Sequence, residues 1–194
     1  MVRALIGSAT DVSVLWISKS KEHGMASYYS SFREAWTDRG PKNIIRESEF
    51  GFDMTTIYFP GVQSCVAVIA RLQLGLCGAH LTIGNDQASI DAIVAKMEAR
   101  AGGRASQIML VGALPLLGQK CAAGSVYKYP AMVATINQRL AGGSAAVQGL
   151  NEVPVPGSDV QVSLAGGVMQ LSTRAIQAPF AEAGGWVVRN AAAL

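Results

Sequence analysis

Charge is scarce in this chain. Only 15% of its 194 residues are charged, the formal balance is +3, and the cationic side chains form no run. The basic stripe with interleaved aromatics that marks a nucleic-acid face is therefore missing, and no nucleic-acid partner is expected. No apolar stretch reaches the roughly 18 residues of a membrane-spanning helix, so no membrane span is expected. The opening MVRALIGSATDV holds too short an apolar run for a secretory signal. That points to a cytoplasmic protein and leaves secretion without a cleaved signal peptide open. Cysteine is sparse too: Cys65, Cys77 and Cys121 make no disulfide framework and suit a reducing compartment. A metal site built from Cys65, Cys77 and His80 would lack a fourth ligand and a recognised spacing, so neither a metal nor a cofactor is expected. His23, the other histidine, begins a polar segment and reads as a surface residue.

Half the residues are hydrophobic, enough for one domain with a sizeable core. Residues 2–7 and 12–18 read as short strands. From His23 to Asp38, Met25, Tyr29, Phe32 and Trp36 fall at helical spacing before Gly40-Pro41. The polar segment 42–53 reads as a loop. Met54 to Phe59 reads as a strand closed by Pro60-Gly61. After Ile83, a helix is capped by Asn85 or Asp86, striped with Ile90, Ile93, Val94 and Met97, and stopped at Gly102-Gly103. Ser106 to Ala113 follows as a strand apolar enough to be buried on both faces. Pro130 opens another helix that carries Val133, Ile136 and Leu140 to Gly142-Gly143. A hairpin turning at Gly166-Gly167 spans about 160–173, and Trp186 to Arg189 adds a short strand. Strands dominate and the helices do not alternate with them. The fold class is α+β, with mixed or antiparallel, sandwich-like sheets and two or three helices packed on them.

The informative stretch runs from Ser64 to Ile83, SCVAVIARLQLGLCGAHLTI. Two apolar runs, one led by Cys65 and one carrying His80, read as a β-hairpin. A turn centred on Leu72 and Gln73 places Cys65 directly across from His80, with Cβ atoms about 4.5–5.5 Å apart. Cys77, three residues before His80, then points to the other face and reads as core.

These residues resemble a known family. SCVAV at 64–68, a histidine on the next strand, a helix ending in Gly-Gly and then QIMLVGA resemble the chemoreceptor glutamine deamidases of the CheD type. The catalytic domain of the cytotoxic necrotizing factors shares that family's fold and Cys/His pair. The resemblance covers about 54–173 and implies a divergent CheD-like domain, with 1–53 an N-terminal extension. It further implies a protein-glutamine deamidase acting on a partner that bears an exposed glutamine, either a bacterial signalling protein or a host protein met by a secreted effector. Three places depart from the family, one of them Leu81-Thr82-Ile83, where the family has a Met-Leu-Pro run after its histidine. Gln63 replaces a glycine, and Tyr58 stands where the family carries a threonine.

In the chemistry so implied, His80 takes the thiol proton and Cys65 attacks the amide carbon. His80 then protonates the departing ammonia, and water cleaves the thioester. Backbone N–H groups around Gln63 and Ser64 are the natural oxyanion donors. Thr82, on the His80 face of a regular strand, is one candidate to orient the imidazole; Thr56, Thr55 and Tyr58 are others. Attack of an amine instead of water would make the reaction a transglutamination. The competing reading is a non-catalytic protein-binding module, with the cysteine and histidine kept for packing.

Overall fold

The computed structural model describes the backbone of 33–34 and residues 43–82, 87–101, 103–114, 131–150 and 157–194. Eleven strands and two helices lie among them: β1 (Arg33–Glu34), β2 (Glu49–Asp53), β3 (Thr56–Val62), β4 (Val66–Leu72), β5 (Gly75–Leu81), α1 (Gln87–Ala101), β6 (Gln107–Gly112), α2 (Ala131–Ala141), β7 (Ala146–Leu150), β8 (Ser158–Ala165), β9 (Val168–Ala175), β10 (Val187–Arg189) and β11 (Ala192–Ala193). A seven-stranded mixed sheet runs β1-β2-β5-β4-β6-β7-β11, and a four-stranded antiparallel sheet runs β10-β9-β8-β3. The α+β class is as expected, and the resulting three-layer build follows from alternation along the central strands.

On β4, Val66, Val68, Ala70 and Leu72 face a cluster completed by Ile93, Val94 and Met97 of α1 and Val133, Ile136 and Leu140 of α2. Ala67 and Ile69 face the opposite way, onto Ile57, Phe59, Val160, Val162 and Leu171 of the smaller sheet. Strands β4 and β6 are buried on both sides, apart from one half-buried residue on each, which explains their near-continuous apolar sequence. Arg139 ties the helices together through Asp91 (3.1 Å) and Glu98 (2.9 Å).

Four expectations are corrected. The segment 42–53 is not all loop: Glu49–Asp53 pairs antiparallel with β5, Ile44 bridges to Tyr58, and Ile45 is fully buried. Strand β3 does not close at Pro60-Gly61 but runs through them to Val62 with a shift in register. It is an edge strand, so the N–H that proline lacks costs no ladder bond, and Gly61, at φ 69°, fits the bulge. Arg33–Glu34 pairs with β2 as strand where a helix was expected; the rest of that segment lies outside the described residues, as do the strands expected at 2–7 and 12–18. The central hairpin turns at Gln73-Leu74, one residue later than expected, so that Ala67, not Cys65, faces His80. Gly75 allows this by opening β5 against the backbone of β2, where a Cβ would lie 2.4 Å from the Asp53 carbonyl oxygen. Strand β7, parallel to β6, was not anticipated.

The outer face of the smaller sheet is closed by the segment after β9. Arg174 and Asp159 form an ion pair at 3.2 Å with side chains 2% and 0% exposed. Arg174 also donates to the carbonyls of Ala181, Ala183 and Gly184 and lies under the rings of Trp186 (4.1 Å) and Phe180 (5.0 Å). The second Asp159 oxygen accepts the Gly61 N–H. Removing one member of a satisfied buried pair strands its partner. Arg174→Met is therefore expected to cost about 3–5 kcal/mol, read as a lower urea midpoint; a loss under about 1 kcal/mol would contradict this role.

Candidate active site

The slipped turn changes the pairing by two positions, and alternation has a period of two, so the faces are preserved. His80 points to the smaller sheet, edge-on to the Phe59 ring at 5.9 Å. Cys65 precedes β4 by one residue, two before Ala67, and alternation puts it on the same side, diagonal to His80. Cys77 is fully buried on the helical side, as expected. His23 and Cys121 lie outside the described residues.

Cys65 is positioned by its backbone. Its carbonyl accepts the Ala113 N–H at 3.0 Å and rests against Gly112, where a Cβ would come within 2.2 Å of that oxygen. Gly112 also holds φ at 132°, a value that L side chains avoid. The end of β6 therefore clamps the cysteine and requires glycine to do so. Cys65 itself is 4% exposed.

His80 is oriented by a group that the sequence reading did not name. Its Nδ1 lies 3.2 Å from the backbone carbonyl of Ile45, an acceptor that requires the proton on Nδ1. The lone pair then sits on Nε2, which is buried and has no hydrogen-bond partner among the described residues. This is the tautomer that a thiol's general base needs. The third member of the arrangement is a main-chain oxygen contributed by the segment before β2.

Of the threonine candidates, Thr82 is buried two residues beyond His80. Thr56 is not brought to the site. Its N–H donates to Asp53 Oδ1 at 2.9 Å, and Asp53 pairs with Leu76, four positions or about 13 Å along β5 from His80. Thr55 is exposed on the same Asp53 turn. Tyr58 faces the outer side of the smaller sheet, against Phe180 and Trp186. Asp53 is the physical reason for the placements of Thr56 and Thr55: its carboxylate gathers the N–H groups that follow β2 into a side-chain-capped turn.

A residue that the sequence reading passed over enters the site instead. The Cys65 thiol donates to Glu47 Oε1 at 3.5 Å. Burial foremost, then the Glu47 carboxylate, pushes the thiol up to about 12, while the Gln63 backbone N–H and the Ser64 hydroxyl pull the other way. The Gln63 N–H was among the expected oxyanion donors; the Ser64 hydroxyl, a side-chain group, was not, and both act on the sulfur. Burial pushes the His80 imidazole down; the Ile45 carbonyl and the Glu47 and Glu49 carboxylates only partly offset it. At neutral pH the resting site is thus a thiol and a neutral imidazole, with Glu47 acting on both.

The chain matches no model of a known protein family, and no curated protein sequence is significantly similar to it. Among the described residues, no three or more His, Cys, Asp or Glu side chains gather as a metal site, and no helix is long and apolar enough to cross a membrane.

The depressed imidazole has a consequence for stability. Below the ordinary histidine value of about 6.5 the unfolded chain binds a proton that folded His80 refuses, so stability falls as pH drops through that range. Urea unfolding at pH 7 and pH 5 should show a smaller loss for His80→Asn than for the wild type. Equal losses would mean that His80 is not held neutral by the fold.

Proposed function

We propose that this protein is a cysteine-dependent protein-glutamine deamidase of the CheD-like kind, working through Cys65 and His80. The observation that carries the reading is the state of His80: Nδ1 is committed to the Ile45 carbonyl, while Nε2 is buried and unpartnered on the Cys65 side of the sheet. A buried ring nitrogen without a partner is costly, and catalysis is a reason to retain one. The order of elements adds support: the cysteine-led strand β4, the histidine strand β5 beside it, α1, and then the central strand β6.

In the reaction the thiol proton passes to His80 Nε2 as sulfur attacks the glutamine side-chain carbonyl carbon. The Gln63 N–H and the Ser64 hydroxyl lie on the sulfur's own side, where the tetrahedral oxyanion would form. Imidazolium His80 returns its proton to the leaving ammonia, and water then releases glutamate from the thioester. A thiol held protonated at rest fits proton transfer concerted with attack better than a standing thiolate. No step calls for a cofactor. The partner is a folded protein with an accessible glutamine, a bacterial signalling protein or a host protein met by a secreted effector.

One observation favours the runner-up reading, a binding module without catalysis: Glu47 and burial hold the thiol far above the range of an activated nucleophile. Intact-mass analysis of candidate partners separates the two readings. Incubation with the wild type should convert side-chain amide to acid, Cys65→Ser should abolish this, and His80→Ala should slow it by at least about 100-fold. Conversion at equal rate with Cys65→Ser would remove the cysteine from the chemistry.

A further inference from the structure

Among the described residues, Glu47 is the side chain that reaches the thiol from outside the cysteine's own loop, and it is a glutamate. Resting on the deamidase reading above, we propose that Glu47 is a built-in mimic of the reaction product, capping Cys65 until a glutamine-bearing turn of a partner displaces it.

The geometry is that of a presented side chain. Glu47 lies on a tight turn closed by Arg46 and Glu49: the Arg46 N–H donates to Glu49 Oε2 at 2.9 Å, and the Glu49 N–H donates to the Arg46 carbonyl at 3.0 Å. The turn is pinned beside the imidazole, because the Ser48 N–H donates to the His80 carbonyl at 3.0 Å. Ser48 is held at φ 60°, a conformation that non-glycine residues rarely adopt, and its hydroxyl is buried without a partner. Glu47 is otherwise exposed, and its Oε1 accepts the Cys65 thiol at 3.5 Å. A strained turn thus delivers one carboxylate to a buried thiol, and the same carboxylate acts electrostatically on His80.

Deamidation of a protein glutamine leaves this same group, a γ-carboxylate on a peptide side chain. A substrate amide in the same place would bring its carbonyl group to the sulfur, which is the approach that attack on its carbon requires. The contact is a single thiol–carboxylate hydrogen bond from an exposed turn, weak enough for a docking surface to exchange. The class of substrate follows. It is a glutamine carried on a protruding turn, since the cap reaches the sulfur in that form.

The test makes the mimic into a substrate. In full-length Glu47→Gln, the thiol proton moves to His80, sulfur adds to the new side-chain amide, and its C–N bond breaks as ammonia leaves with that proton. Water then cleaves the thioester, restoring the thiol and leaving glutamate at position 47. Peptide mapping after incubation should find glutamate at that position in Glu47→Gln and unconverted amide in the Glu47→Gln/Cys65→Ser double variant. An amide that persists at position 47 while the wild type deamidates a partner overturns the mimic and leaves the enzyme standing. Persistence with no partner modified overturns both. Independently, Glu47→Ala should raise the rate of Cys65 alkylation at pH 8 by about tenfold or more, and an unchanged rate would remove the cap.

Discussion

Pairing of β4 with β5 decides what the middle of this chain can do. Leu72 faces Gly75 across a two-residue turn, and from that point every residue of both strands is assigned a side. Val66, Val68, Cys77 and Ala79 go to the helices; Ala67, Ile69 and His80 go to the smaller sheet. An error of one position would exchange these sets and bury His80 among the helices. Apolar packing on both faces holds the register, because a one-residue slip would move each strand's residues into the opposite cluster. That Cys65 and His80 share a face is therefore a by-product of core formation, and the costs at the site are the unpartnered imidazole nitrogen, the unpartnered Ser48 hydroxyl and the positive φ of Ser48.

Around that relation the main chain does most of the positioning. The Ile45 carbonyl sets the His80 tautomer, the Ala113 N–H and the bare Cα of Gly112 hold the Cys65 carbonyl, and the Gln63 N–H faces the sulfur. Groups fixed by sheet and loop geometry cannot drift as rotamers do, which gives preorganisation. Of the two carboxylates that act on the site, Glu47 is exposed and Glu49 is buried. Burial drives the thiol and the imidazole towards their neutral forms, and Glu47 reinforces neutrality at the thiol while opposing it at the imidazole.

The sequence was legible where periodicity was strong. Helix α1, strand β6, helix α2 and the Gly166-Gly167 hairpin all lie within a few residues of their expected places, because each has a clean apolar stripe or run between glycine stops. Strand β2 was not read: Phe50 and Phe52 do alternate, but five residues interrupted by Gly51 and bounded by Glu49 and Asp53 look like a loop. The hairpin turn was placed one residue early because no Asn-Gly or Asp-Gly pair marks it. Cys65 and His80 were visible as rare, reactive side chains. The Ile45 carbonyl was invisible, since every residue has one, and Glu47 looked like one surface charge among several. Thr56 was named because it lies near the position where the resembled family carries a threonine, yet it bonds Asp53, which sits well along β5 from His80.

The central claim is that Cys65 and His80 act as one chemical unit. Time-resolved iodoacetamide labelling followed by peptide mapping measures that directly. Cys65 should label ahead of the fully buried Cys77, and its rate should fall in His80→Ala while that of Cys77 stays the same. Equal, slow labelling of both thiols, or a Cys65 rate indifferent to His80→Ala, would contradict it.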